Sequence, residues 1–229
     1  MVGQSILQVS TAPSLAAFVG IERRQGVRPR MPDEERLIAR AAAGDTAAFR
    51  DLYERHRLDV ARLVFRMLSG RGDVDDVIQE VFVQVYKSLK DFRGQAKFST
   101  WLHRVTVNVV LMHRRASRSR PVFADEPAGE ITRPDDLRPD DDAERKERMR
   151  AFARVLDRLG DKKRVVFVLH DLEGVSPSEI ARIVGAPVLT VRTRLFYARR
   201  EIEAMLADEP SLAALALTFA KAPGAGGDG

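Results

Sequence analysis

The chain has 229 residues, 45% of them apolar, and a formal net charge of +5. That length suits one large or two small domains, and an aromatic share of 7% with few β-branched runs favours helices over strands. The absence of cysteine excludes disulfides, thiolate catalysis and cysteine-ligated zinc or iron–sulfur centres, and fits a reducing cytoplasm.

Residues 1–32 show no sustained period and scatter Pro, Gly and Arg, so a flexible arm is expected. SILQVSTAPSLAAFVG lacks a basic leader and is broken by Pro13, so no signal peptide is expected. Met31 directly precedes the first helical pattern, which makes it a candidate translation start. Residues 33–118 read as a helical domain. Leu37, Ile38 and Ala41 form a stripe that Gly44 stops, and Asp45 caps the next helix. Ala48, Phe49, Leu52 and Tyr53, then Val60, Leu63, Val64, Met67 and Leu68, carry that helix to the Gly70–Gly72 break.

Asp73 is the expected cap of a helix burying Val74, Val77, Ile78, Val81, Phe82, Val85 and Leu89. Ser99 is the expected cap of another, with Trp101, Leu102, Val105, Val109 and Met112 on one face. Residues 119–143 hold four prolines, and positions 121–148 carry ten carboxylates against five cations, the pattern of an acidic flexible linker. Helices resume in a second domain, 144–207. Phe152, Val155, Leu156 and Leu159 form its first stripe, and Asp161 is the expected cap of a helix through Leu172. Ser176-Pro177-Ser178-Glu179 forms a capping box with proline at the first helical position. Gly185-Ala186-Pro187 then turns the chain into a final helix from about Val188 to Ala207. Residues 208–229 read as a tail whose longest apolar stretch, SLAALALTFA, is too short to span a bilayer. The expected fold is all-α: two small helical domains joined by an acidic linker, the second a helix-turn-helix.

Residues 161–206 carry the strongest functional signal. A capped short helix, a glycine turn and a second helix form a helix-turn-helix. Val191, Leu195, Ala198 and Ile202 keep one face apolar. Arg192, Thr193, Phe196, Tyr197, Arg199 and Arg200 remain for the other faces, as major-groove reading requires. A plain helical hairpin with solvated arginines is the competing reading. Residues 93–120 hold seven cations and no carboxylate, Arg114 and Arg115 among them, interleaved with Phe92, Phe98 and Trp101. Cations that track phosphates beside rings that stack on bases suit single-stranded nucleic acid; the alternative places Phe98 and Trp101 in the core. Asp73, Asp75, Asp76 and Glu80 raise the question of a metal or acid–base site, but Asp73 and Asp76 suit the first turn of a helix and no histidine stands at ligand spacing to them. The four histidines are scattered, and no phosphate loop or hydrolase motif is present. Neither catalytic residue, metal, cofactor nor small-molecule substrate is expected.

Together these segments resemble the extracytoplasmic-function (ECF) group of bacterial sigma factors, over roughly residues 33–206. DVDDVIQEVFVQVYKSL resembles their segment that grips the clamp of the polymerase largest subunit. FRGQAKFSTWLHRVTVN resembles their F-R-G-x-x-x-F-x-T-W-L-x-x-[IV]-x-x-N stretch, which melts and reads the −10 element. LGDKKRVVFVLHDLEGVSPSEIARIVGAPVLTVRTRLFYARR is similar to their −35-reading domain. The resemblance implies polymerase contacts at Asp75, Asp76, Gln79 and Glu80. It implies −10 contacts at Phe98, Ser99, Thr100, Trp101, Arg104 and Asn108, with Arg114 and Arg115 beyond them on the same basic run. It implies −35 contacts at Thr190, Arg192, Thr193, Phe196, Tyr197 and Arg199, with Arg200 as a phosphate contact. Leu189 departs from the group, where many members carry glycine. The implied partners are core RNA polymerase, promoter DNA in duplex and melted form, and an anti-sigma factor. The linker would thread the RNA path as a nucleic-acid mimic, or serve only as a spacer. An operator-binding regulator and a nuclease using the acidic cluster are the rival classes; the FRG…F-x-T-W-L stretch argues against the first.

Overall fold

A computed structural model of the chain describes residues 32–70, 74–119 and 142–212. The expected arm, the Asp73 cap, most of the acidic linker and the tail beyond Leu212 lie outside the described residues. Among those described there are helices and turns and no strand.

The first set of helices is α1 (Pro32–Ala42), α2 (Thr46–Leu68), α3 (Val74–Ser88) and α4 (Phe98–Ser119). Asp45 starts α2: its side chain accepts from the Ala48 N–H at 3.0 Å and from Arg40 Nε at 2.9 Å. The Ala48 N–H, and after it Arg40, hold the half-buried Asp45 carboxyl below the usual range. Leu52, Val60, Leu63, Val64 and Met67 make α2 the central post, against which α1, α3 and α4 bury their apolar faces. Ser69 ends α2 in the left-handed region at φ 57°, returning its N–H to Phe65 O.

Two expectations for α4 are corrected. The helix begins at Phe98, so Ser99 lies inside the first turn, and the first helical N–H bonds, from Thr100 and Trp101, go to the Lys97 carbonyl. Met112 is 61% exposed rather than on the apolar face; the buried residues are Phe98, Thr100, Leu102, Thr106, Val107, Val109 and Val110. Thr106 tolerates burial because its hydroxyl donates to Leu102 O at 2.9 Å.

The second set is α5 (Asp142–Arg158), α6 (Asp161–Phe167), a π-helical turn (Val168–Leu172), α7 (Pro177–Val184) and α8 (Val188–Leu206). Gly160, not Asp161, is the N-cap of α6, and that helix passes into the π turn instead of running evenly to Leu172. At α7, Ser176 Oγ accepts from the Glu179 N–H and donates to Glu179 Oε2 at 2.9 Å. Gly185 closes α7 at φ 63°, a conformation a side chain would strain, and so sets the turn into α8. The segment after α8 does not leave the domain at once. Leu212 is fully buried, Arg154 bonds Glu209, and the 3₁₀ turn Pro210–Leu212 packs on α5.

Candidate nucleic-acid and polymerase interfaces

On α3, burial of Val77, Val81, Phe82 and Val85 turns Asp75, Asp76, Gln79 and Glu80 outward. Val83 and Tyr86, each about half exposed, lie among them, and Tyr86 meets Phe49 edge-on with centroids 4.9 Å apart. The outcome is an acidic surface with apolar elements, suited to a basic, partly apolar protein groove.

The α4 residues split into two groups. Phe98 and Thr100 are buried, while Ser99 and Trp101 are half-buried. Phe98 packs against His56, Phe92 and Trp101, with ring centroids 5.1–5.6 Å apart. The other group, Arg104, Asn108 and Arg115, is exposed along one flank of the helix. His103 faces inward: its Nδ1 is buried without a hydrogen-bond partner. Burial pushes its pKa down to about 4, against the opposing pull of Asp59 and Glu179.

Arg114 is not free. Its Nε donates to Asp161 Oδ1 at 3.0 Å and its NH1 to Asp157 Oδ1 at 3.2 Å, so it is tied to the second set of helices. Arg118 forks onto Asp161 with bonds of 2.9 and 3.0 Å. Arg66 donates to Leu172 O at 2.9 Å and to Glu173 Oε1 at 2.6 Å. Arg164, wholly buried, reaches Asp157 at 3.0 Å and Leu159 O at 3.2 Å, and lies 3.4 Å from Met67 O. Burial, then the Arg114 charge, lowers its pKa to about 10. Sequence reasoning did not find this junction. The available signal was a cation within an apolar run, Arg66 in VFRML and Arg164 in RVVF: charge on a buried face needs a partner.

On α8, Val191, Leu195, Ala198, Ile202 and Leu206 anchor the helix. Arg192, Thr193, Phe196, Tyr197 and Arg200 are exposed, and Thr190 is half-buried. Leu189, 75% exposed, shares one face with Thr193, Phe196 and Arg200. The Thr193 hydroxyl donates back to Leu189 O at 3.0 Å. The Arg200 guanidinium lies 5.7 Å from the Phe196 ring centroid. Arg199 forks onto Asp171 of the π turn with bonds of 3.1 and 2.6 Å, so its guanidinium braces α8 against that turn. Among the described residues no cluster of potential metal ligands occurs, and no helix is long and apolar enough to cross a membrane.

These surfaces coincide with two known modules. Sigma-70 region 2 matches residues 52–120, and sigma-70 region 4 matches residues 149–202. The order of the two modules defines a promoter-directing transcription initiation factor. The ECF RNA polymerase sigma-E factor of Escherichia coli K12 is 36% identical over 179 residues, covering 73% of this chain and 91% of that protein. The Haemophilus influenzae sigma-E factor is similarly 36% identical, over 74% of this chain and 93% of its own. The chain belongs to the ECF RNA polymerase sigma factors. Among solved structures, CnrH in complex with the cytosolic domain of CnrY matches with a TM-score of 0.58 and 30% identity, over 77% of this chain and 98% of that one. The sigma factor RpoE of Bartonella quintana, in complex with the anti-sigma factor NepR, shares the fold at TM-score 0.52 and 19% identity, over 69% and 97% of the two chains.

Proposed function

We propose that this sigma factor divides promoter opening among three helix faces. The acidic outer face of α3, Asp75, Asp76, Gln79 and Glu80 with Val83 and Tyr86 among them, binds the clamp of core polymerase. The outer flank of α4 takes the melted −10 strand: Arg104 and Arg115 follow phosphates, Asn108 bonds a base edge, and Trp101 stacks from the margin of the aromatic cluster. α8 enters the −35 major groove, with Arg192 as the base-reading cation and Arg200 on phosphate. The single observation that carries this reading is the sorting of α4. Its rings and Thr100 turn into the fold while Arg104, Asn108 and Arg115 line its outside, leaving a rigid cationic flank beside a half-buried tryptophan.

The chain works in the cytoplasm without an enzymatic step of its own. The regions 33–118 and 144–207 act as its two modules, joined by the 119–143 linker. As RpoE is bound by the anti-sigma factor NepR, an anti-sigma factor is its regulator. Reconstitution with bacterial core polymerase tests the assignment. Trp101→Ala and Asn108→Ala should reduce permanganate reactivity at the −10 region more than they reduce closed-complex binding. Unchanged reactivity in folded variants removes the melting role of α4. Joint charge reversal at Asp76 and Glu80 should weaken core binding without changing the circular dichroism spectrum; unchanged core binding removes the clamp role of α3.

A further inference from the structure

With the outer flank of α4 read as a nucleic-acid surface, a reading on which the inference rests, that flank does not stop at Arg115. Arg118 stands three residues further along and Arg114 four residues before Arg118, so all three share one side of the helix end. Arg114 and Arg118 close on one carboxylate, Asp161, which receives Arg118 NH1 at 2.9 Å, Arg118 NH2 at 3.0 Å and Arg114 Nε at 3.0 Å. A planar oxyanion held by one guanidinium fork and by a single Nε bond from a second guanidinium is an arrangement arginine also makes with phosphate. The carboxylate belongs to the first turn of α6, in the other module.

The side chains bonded across this junction are charged ones. Arg66 meets Glu173 and the Leu172 carbonyl, Arg114 meets Asp157, and Lys97 lies 3.8 Å from Glu179. Each of these contacts places a cation of region 2 on an acceptor of region 4. Arg118 is more than half exposed, so its partner can be exchanged without opening a core. Burial works to raise the Asp161 carboxyl, but the Arg114 and Arg118 bonds outweigh it and hold the group below its usual range, so it is ionised at neutral pH.

We propose that Arg114 and Arg118 form a nucleic-acid phosphate site which, in the free sigma factor, is filled by Asp161 as an internal phosphate mimic. Region 4 thereby closes over the end of the −10 surface. A backbone phosphate of the melted strand and Asp161 then compete for the same two guanidinium groups, and separation of the modules frees the site. Free sigma factor accordingly binds single-stranded DNA poorly because the site is occupied, and the block is relieved when the modules part.

The cysteine-free chain permits a direct test. Arg50→Cys on α2 and Glu203→Cys on α8, both at exposed positions, carry a donor and an acceptor dye. The full-length chain is compared with its Asp161→Asn and Arg118→Ala forms, and affinity is measured for a single-stranded 12-nucleotide oligodeoxynucleotide at fixed salt. If about one molecule in ten of the parent chain is open, Asp161→Asn should lower energy transfer and tighten oligonucleotide binding about tenfold. Arg118→Ala should also lower energy transfer but give no gain in affinity, because it removes half the site. Unchanged transfer and affinity in Asp161→Asn, with an unchanged unfolding curve, would overturn the proposal. Lower transfer with unchanged affinity would overturn it too, since the contact would then be a hinge rather than a masked phosphate site. Run-off transcription by parent chain plus core polymerase reports separately on the α4 reading: loss of −10 melting there, with the Asp161→Asn gain intact, would locate the failure in that reading.

Discussion

The two helices proposed above to take DNA, α4 and α8, hold their cations in different ways. On α4 the last arginines, Arg114 and Arg118, are tied to carboxylates of the other module. On α8, Arg199 is held within its own module, by Asp171 of the π turn. The α4 cations therefore have partners that can be exchanged as the modules move. The α8 pair moves as a unit and fixes the angle of the helix. An arginine near DNA is thus an available reader, a displaceable contact or a brace, and the identity of its acceptor decides which.

Asp157 is where this difference between the helices is most exposed to mutation, because it serves both sides of the junction. It bonds Arg114 of α4 and the fully buried Arg164 of α6. Asp157→Ala leaves Arg164 with carbonyl acceptors but no carboxylate bonded to it, an expected loss of about 3–5 kcal/mol. Urea unfolding of the full-length chain measures it. A loss under about 1 kcal/mol would mean that water or a neighbouring carboxylate replaces Asp157, and that the junction is looser than its distances imply.

The inner side of α4 supplies the next effect. In the unfolded chain His103 takes up a proton near its ordinary pKa of 6.5, but in the fold only near 4. Folding stability is then full above pH 6.5 and falls as the pH drops from 6.5 toward 4, because the unfolded state binds the proton first. The loss by the acid end of that window is at most about 3 kcal/mol. Asp59 and Glu179 lessen it by drawing the proton on, and His56 opposes them. His103→Gln should flatten the stability profile between pH 6.5 and 4 while leaving it unchanged at higher pH. An unaltered slope would assign acid sensitivity to the carboxylates of the junction.

Much of the fold was legible because it is written in local period. Leu63, Val64 and Met67, or Val191, Leu195 and Ala198, repeat every three or four residues and leave no second way to bury themselves. Asp45 and the Ser176–Glu179 box were legible because capping is a contact across three residues. The start of α4 was not, since Ser99 is a good cap type and nothing local shows that Lys97 supplies the first carbonyl. Met112 misled because its spacing fits the apolar stripe, yet its side chain stands in solvent. For the sites, exposure of Asp75, Asp76, Gln79 and Glu80 follows from the same stripe that buries Val77 and Val81. The acceptors of Arg114 and Arg66 lie 43 to 107 residues away, and no period links such positions.

A smaller effect separates reader from brace on α8. Arg192 is exposed at the start of the helix, and a bidentate bond to guanine there is worth about 1–3 kcal/mol of base discrimination. Arg192→Ala should erase a preference at one −35 position in a randomised-promoter selection with holoenzyme. Arg199→Ala should instead weaken several positions together, and Asp171→Ala should reproduce it, because either change releases the helix from the π turn. A single-position change from Arg199→Ala, not shared by Asp171→Ala, would make Arg199 a reader.

The finest distinction lies between Arg118 and Arg200, arginines late on their helices and both suited to phosphate. Arg200 leans toward the Phe196 ring at 5.7 Å, which steers it without neutralising it, whereas Arg118 is forked onto Asp161. Arg200→Ala removes one cation from a duplex contact. Binding of holoenzyme to −35 duplex DNA should weaken by a similar factor on all sequences, and the slope of log affinity against log salt should become shallower by about 1. The base-preference profile should not move. For Arg118→Ala the same salt titration, run on the isolated chain with single-stranded DNA, should change little, because Asp161 already holds that cation away from DNA. On the proposal that the modules part in holoenzyme on melted promoter DNA, Arg118→Ala should there show the full loss of about one unit of slope. Equal slopes in the two settings for Arg118 would mean that its carboxylate partner never competes with DNA, and α4 and α8 would then hold their late arginines alike.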